Sequence, residues 1–140
     1  MILDLVKSVA DSIDTVDFFE SASISDGLLA VSSPQDAGTL RIMAFPGEVN
    51  ASQLSRASHK WEIPVMVAVQ RRLEGVSESD MMEVSEQIAS HFVGRAFTVD
   101  GVSAKAGLST IPQITDRDLL HRSKVFESVI EIVFTVVRTA

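Results

Sequence analysis

The sequence has no cysteine, no tyrosine and a single tryptophan among its 140 residues. The missing cysteines exclude disulfides, thiolate zinc sites and a cysteine nucleophile together, and fit a reducing compartment. The seven phenylalanines fall mostly on positions expected to face a core, which leaves no platform on which nucleic-acid bases would stack. Clustered base is also scarce. The net charge is −7: residues 1–40 carry seven acids against Lys7 alone, and residues 41–140 carry twelve acids against eleven bases. A phosphate-gripping surface needs grouped Lys and Arg. The one tight basic pair, Arg71-Arg72, reads as a strand end meeting water.

Catalytic signatures are missing as well. His59, His91 and His121 lie about thirty residues apart, without the His-Glu-x-x-His spacing that puts two ligands on one helical face. His91, between Ser90 and Phe92, reads as an ordinary boundary histidine. No Gly-x-Ser-x-Gly elbow activates a serine, and no glycine-rich loop is built to hold phosphate. Asp116 and Asp118 lack the continuation of a calcium loop. The start, "MILDLVKSVADSID", has neither the basic head nor the unbroken apolar stretch of a signal peptide, so the Asn50-Ala51-Ser52 sequon carries no weight. The expectation is one domain in the host cytoplasm, with no cofactor, no metal and no catalytic motif, although scattered Asp, His and Arg could still assemble a site.

What the chain does contain is an ordered run of elements. Ile2, Leu5, Val6, Val9, Ile13 and Val16 recur at three- and four-residue steps, which predicts an amphipathic helix over 2–16. "GLLAVSS" (27–33) and "LRIMAF" (40–45) predict two strands around a Pro-Gln-Asp-Ala-Gly turn, the second stopped at Pro46-Gly47. Residues 48–60 are polar and weakly periodic, and predict a long loop, mobile when the protein is alone.

After Trp61, "IPVMVAVQRRLE" places Val65, Val67 and Val69 on one face and Met66 and Ala68 on the other, a central strand covered on both sides that Pro64 begins. Trp61 either packs beneath the loop or marks an interface. Ser77 caps a helix over 78–93 whose buried stripe is Met81, Val84, Ile88 and Phe92, with Gly94 as the stop. Residues 95–124 predict a strand or two and a single helical turn.

The final stretch, Val125 to Arg138, has Phe126, Ile130, Ile132, Phe134 and Val136 on one parity and Glu127, Glu131 and Thr135 on the other. This is a strand, and it is too short for a membrane helix of about 20 apolar residues. Fourteen residues at about 3.3 Å each span about 46 Å, whereas a chain of this size is only about 30 Å across. Part of the strand is therefore expected to project past its own sheet and to need cover, most simply from another copy. The same argument makes Phe126, Ile130, Ile132, Phe134 and Val136, with Trp61, the candidate interface.

The fold class that follows is α/β (α+β): a central, mostly antiparallel sheet flanked by the N-terminal helix and helix 78–93, with a long C-terminal strand. The element order, with "RIMAFPGE", "WEIPVMVAVQRR", the acidic helix "SESDMMEVSEQIASHFVGRAF", "GLSTIPQITDRDLL" and the closing "VFESVIEIVFTVVR", resembles the tail-terminator and tail-completion (neck) proteins of tailed bacteriophages, most closely over residues 61–138. The resemblance implies a structural virion protein. It would form a hexameric ring capping the tail tube, contact the tube protein on one side and the head-side connector or stopper on the other, and let DNA pass through its lumen without specific binding. It implies no membrane and no catalysis, and it would give the acidic front a use along the lumen, where the alternative is the solvated face of an outer helix. It transfers no functional residue by position, so Arg71, Arg72 and Arg138 stand as candidate contacts beside the strand-derived interface. A head-completion or stopper protein is the alternative within that class. Outside it stand a ligand-binding or enzymatic α+β domain with a pocket between the sheet and helix 79–93, and an adaptor that takes up a partner's strand.

Overall fold

A computed structural model describes residues 1–27, 38–113 and 116–139. Helix α1 (Ile2–Ile13) leads to β1 (Ala22–Asp26), β2 (Leu40–Pro46), β3 (Asn50–Gln53) and β4 (Ser58–Arg72). Then come helix α2 (Glu78–His91), β5 (Ala96–Val99), β6 (Val102–Gln113), helix α3 (Arg117–Ser123) and β7 (Val125–Thr139). The strands form one seven-stranded sheet in the order β1-β2-β4-β7-β6-β5, with β3 pairing β4 beyond the end of β2. Only β1 and β2 run parallel. This is the α+β fold expected, with a mostly antiparallel sheet. The 27–33 strand expectation falls largely on residues 28–37, outside those described.

One face of the sheet carries both long helices. Leu5, Val6, Val9 and Ile13 of α1 and Met81, Val84, Ile88 and Phe92 of α2 join Ile42, Val65, Val67, Ile130, Ile132 and Phe134 in one buried cluster. α2 begins as the sequence predicts: the Ser77 hydroxyl accepts from the Asp80 amide at 3.1 Å, while the Asp80 carboxylate accepts from the Ser77 amide at 3.2 Å. α1 stops three residues early. Asp14 caps it, and Thr15 and Val16 bond back three residues instead of four. Among the described residues no helix is long and apolar enough to cross a membrane.

The central constraint is the β4–β7 ladder, continuous from Ser58↔Thr139 to Arg72↔Val125. This corrects the expectation that the last strand leaves its sheet. β7 is an interior strand with β6 on its other side from Ala104↔Val136 to Gln113↔Val129. Phe126, Ile130, Ile132, Phe134 and Val136 are at most 2% exposed, so they are core residues and cannot form a surface between folded copies. The size argument failed because β4 is equally long and starts at Ser58, which gives β7 a partner along its whole length.

The 48–60 loop is also corrected. Asn50–Gln53 pairs antiparallel with His59–Glu62 as a hairpin. Every β3 residue is exposed, and a strand wet on both faces has no apolar alternation to reveal it. Cover over β4 is uneven. Val67 to Gln70 are buried whichever way they point, while Pro64 and Met66 on the face away from α1 and α2 are only half-buried.

His91 ties the two helices together. Arg95 donates to His91 Nδ1 at 3.3 Å, so the ring proton sits on Nε2, which donates to Ser12 Oγ on α1 at 2.8 Å. The histidine is therefore structural, and both burial and the Arg95 guanidinium, burial more strongly, hold its pKa below 6.5.

Two outcomes follow. The folded state disfavours the protonated ring, so the unfolded chain binds the extra proton first. The His91 contribution to stability should be flat above neutrality, should fall as pH drops through about 6.5, and should level off below the folded-state pKa. Urea midpoints taken on both sides of that window should shift less in His91→Gln than in the wild type. Phe134→Ala should cost about 3–5 kcal/mol, whereas Val137→Ala, three residues further along the same strand, should stay within about 0.5 kcal/mol. Chemical denaturation of both variants checks where β7 leaves the core.

Candidate functional site

Past the Ala104↔Val136 pair, where the pairing of β6 with β7 ends, the sheet narrows to a short three-stranded arm made of β3, the first residues of β4 and the last of β7. Its turn, Leu54 to Ala57, is closed by the Leu54 amide donating to the Ser58 carbonyl at 3.0 Å and by Ser55 Oγ meeting Ser58 Oγ at 2.9 Å. The Ala57 amide donates to Ser55 Oγ at 3.3 Å, so the serines of this polar stretch act as turn locks.

Register assigns the arm's two faces. Ala51, Gln53, His59, Trp61, Val136 and Arg138 share the face that continues the core side. Ser52, Lys60, Glu62, Thr135 and Val137 share the other, where Lys60 pairs with Glu62 at 3.3 Å. Trp61 is half-buried against the core cluster and marks the point where the arm leaves it.

Two large apolar side chains stand out in solvent here, Leu54 at the tip and Val137 on β7, each just over half exposed. Arg56, Lys60 and Arg138 against Glu62 make the arm basic, on a chain whose net charge is −7.

Where the arm joins the body, the sheet face away from α1 and α2 holds an open groove of about 420 Å³. Pro64, Met66 and Val133 form its floor, and Glu48, Glu62 and Glu131 stand around it. Pro64 lies opposite Val133, and Met66 lies between Phe45 and Glu131. Gly47 sets one wall: its amide donates to the Pro64 carbonyl at 2.8 Å, and a Cβ there would come within 3.1 Å of the Pro64 ring and 3.3 Å of Met66 Sδ.

The structure sorts the expected contact residues into three groups. Arg138 stays exposed on the arm beside Trp61 and His59. Arg71 is not available to a partner: it is 8% exposed, its Nε donates to Glu20 Oε1 at 2.6 Å and its Nη1 donates to the Arg72 carbonyl at 2.6 Å. The pair is an internal tie between the end of β4 and the segment entering β1. Arg72 points to the opposite face, half-buried and already engaged within the chain. Leu54, Arg56, Lys60 and Val137 are not among the residues singled out from the sequence, although the first three lie in the 48–60 stretch and the last in the closing strand. The available signal was a lone leucine in the serine-rich "ASQLSRASHK", where a mobile loop has no use for it.

The helix–sheet interface invoked for a ligand pocket is packed. Met81, Val84, Ile88 and Phe92 are at most 1% exposed, and the polar group between them, Ser85, donates to the Met81 carbonyl. A second opening of about 570 Å³ lies between the end of α1 and β1, lined by Asp14, Asp17 and Glu20 among others. Among the described residues no three His, Cys, Asp or Glu side chains are grouped to hold a metal ion. The chain matches no family model and no curated protein.

The contrast between the arginines can be measured. Glu20→Gln leaves a nearly buried guanidinium with a neutral partner and should cost about 1–3 kcal/mol, whereas Arg138→Gln on the arm should stay within about 0.5 kcal/mol. Urea unfolding of the two variants tests the assignment; equal losses would contradict it.

Proposed function

We propose that this protein is a structural component of a bacteriophage virion, a tail terminator that forms a ring, hexameric by resemblance, on the tail tube and joins it to the head-side connector. The observation that carries the reading is the arm, a basic, three-stranded end of the sheet with Leu54 and Val137 in solvent, on a chain whose net charge is −7. A lone domain gains nothing by holding such a ribbon in water, whereas a subunit that must grip a neighbour does.

The element order that carries the resemblance also supports it, since helix, sheet, hairpin, second helix and long closing strand follow in that sequence. The acids of the first forty residues fit a lumen through which DNA slides without adhering. Asp4, Asp11 and Asp14 lie exposed along α1 and its cap, and like charge lowers the residence of a phosphate backbone. In this role the protein needs neither cofactor nor metal and turns over no substrate; its partners are its own copies, the tube protein and the connector.

Sedimentation velocity from micromolar to millimolar concentration, with negative-stain imaging, should reveal a closed ring of uniform size, formed either by the protein alone or on tail-tube polymer. A chain that remains monomeric across that range, both alone and with tail-tube polymer added, overturns the reading.

A further inference from the structure

We propose that the hairpin tip of one copy, Leu54 with Arg56, seats in the glutamate-rimmed groove at the arm base of the next copy. The contact is head-to-tail, and the inference rests on the self-assembling role proposed above.

Tip and groove complement each other in both respects that decide an interface core. The groove offers a half-buried apolar floor of Pro64, Met66 and Val133, and the tip offers an apolar side chain, Leu54, already 54% exposed. Around the floor stand Glu48, Glu62 and Glu131, of which, among the described residues, Glu62 is paired with Lys60 at 3.3 Å. Two residues from Leu54, the turn presents Arg56, whose guanidinium suits a carboxylate rim. A volume of about 420 Å³ lies within the roughly 300–1,000 Å³ of sites that enclose a small ligand, so one leucine and an arginine stem are an appropriate load.

A chain's own tip cannot reach the floor of its own groove. Ser58 and Pro64 are six residues apart on one continuous strand, about 20 Å at about 3.3 Å per residue, and that strand is paired with β3 and β7 on either side. A tip seated in the groove therefore comes from another copy. Because the two patches differ, the contact is heterologous, and each copy keeps one tip and one groove to pass on. Such a contact closes into a ring when the rotation between copies divides a full turn. The turn itself is locked by Ser55 and Ser58, which limits the ordering entropy lost on docking.

The test uses full-length protein and sedimentation equilibrium. Leu54→Asp and Arg56→Glu, both exposed and outside the core, should each weaken self-association at least about tenfold, with unchanged thermal midpoints. Glu131→Arg should weaken it similarly, and the double reversal Arg56→Glu with Glu131→Arg should recover most of the loss. Val133→Lys blocks the groove while leaving the tip intact. Leu54→Asp chains mixed with Val133→Lys chains should therefore form a one-to-one dimer and stop.

Wild-type protein that is monomeric alone overturns this inference but not the proposed function, which would then require the tail tube to template the ring. Wild-type protein that assembles equally well with Leu54→Asp and Arg56→Glu also overturns it, and again leaves the proposed function standing. Failure of the mixed variants to give a dimer rules out the head-to-tail pairing of these two patches.

Discussion

The backbone ladder between β4 and β7 is the constraint on which the other elements depend. Fifteen consecutive pairs fix two long strands side by side and align Ile63, Val65, Val67 and Val69 with Phe134, Ile132, Ile130 and Ser128 on one face. That face is the floor on which α1 and α2 pack. A slip of one residue would turn every one of these side chains outward, so register, core and helix placement are one decision. The end of the ladder past Trp61↔Val136 has β3 but no longer β6 beside it, and that end is the arm.

How far the fold could be read from the sequence depended on which face of each element meets water. α1 and α2 carry apolar stripes at helical spacing because one side of each is buried, and Ser77 with Asp80 announces the start of α2. β7 shows its period of two because from Phe126 to Val136 the even-numbered side is buried while the odd-numbered side is half-exposed. β3 shows nothing, since both of its sides are wet. Its invisibility then propagated: without the hairpin β4 seemed to begin near Trp61, and without the extra length of β4 the end of β7 seemed unsupported. The β5–β6 hairpin did carry a readable mark in Asp100-Gly101 between Val99 and Val102. Both turn residues take positive φ, 52° and 74°, as a tight two-residue connection demands.

The candidate site was legible only at its margins. Trp61 and Arg138 belong to the arm, but the apolar residues chosen with them were core, because hydrophobicity alone does not distinguish a strand that needs a partner from one that has two. Arg71 looked like a surface charge because nothing nearby in sequence pairs with it; its carboxylate, Glu20, is fifty-one positions away. The exposed apolar residues of the arm, Leu54 and Val137, sit in polar or mixed surroundings where no periodicity marks them.

The interior place of β7 also governs the order in which the molecule can be completed. β7 is synthesised after every other described element, yet it lies between β4 and β6 and supplies one edge to each. Until it leaves the ribosome, β4 has an open edge along its whole length and α2 lacks much of the floor it packs on. The sheet therefore cannot close until its last strand is available, and between the completion of β4 and the arrival of β7 the β4 edge stands open.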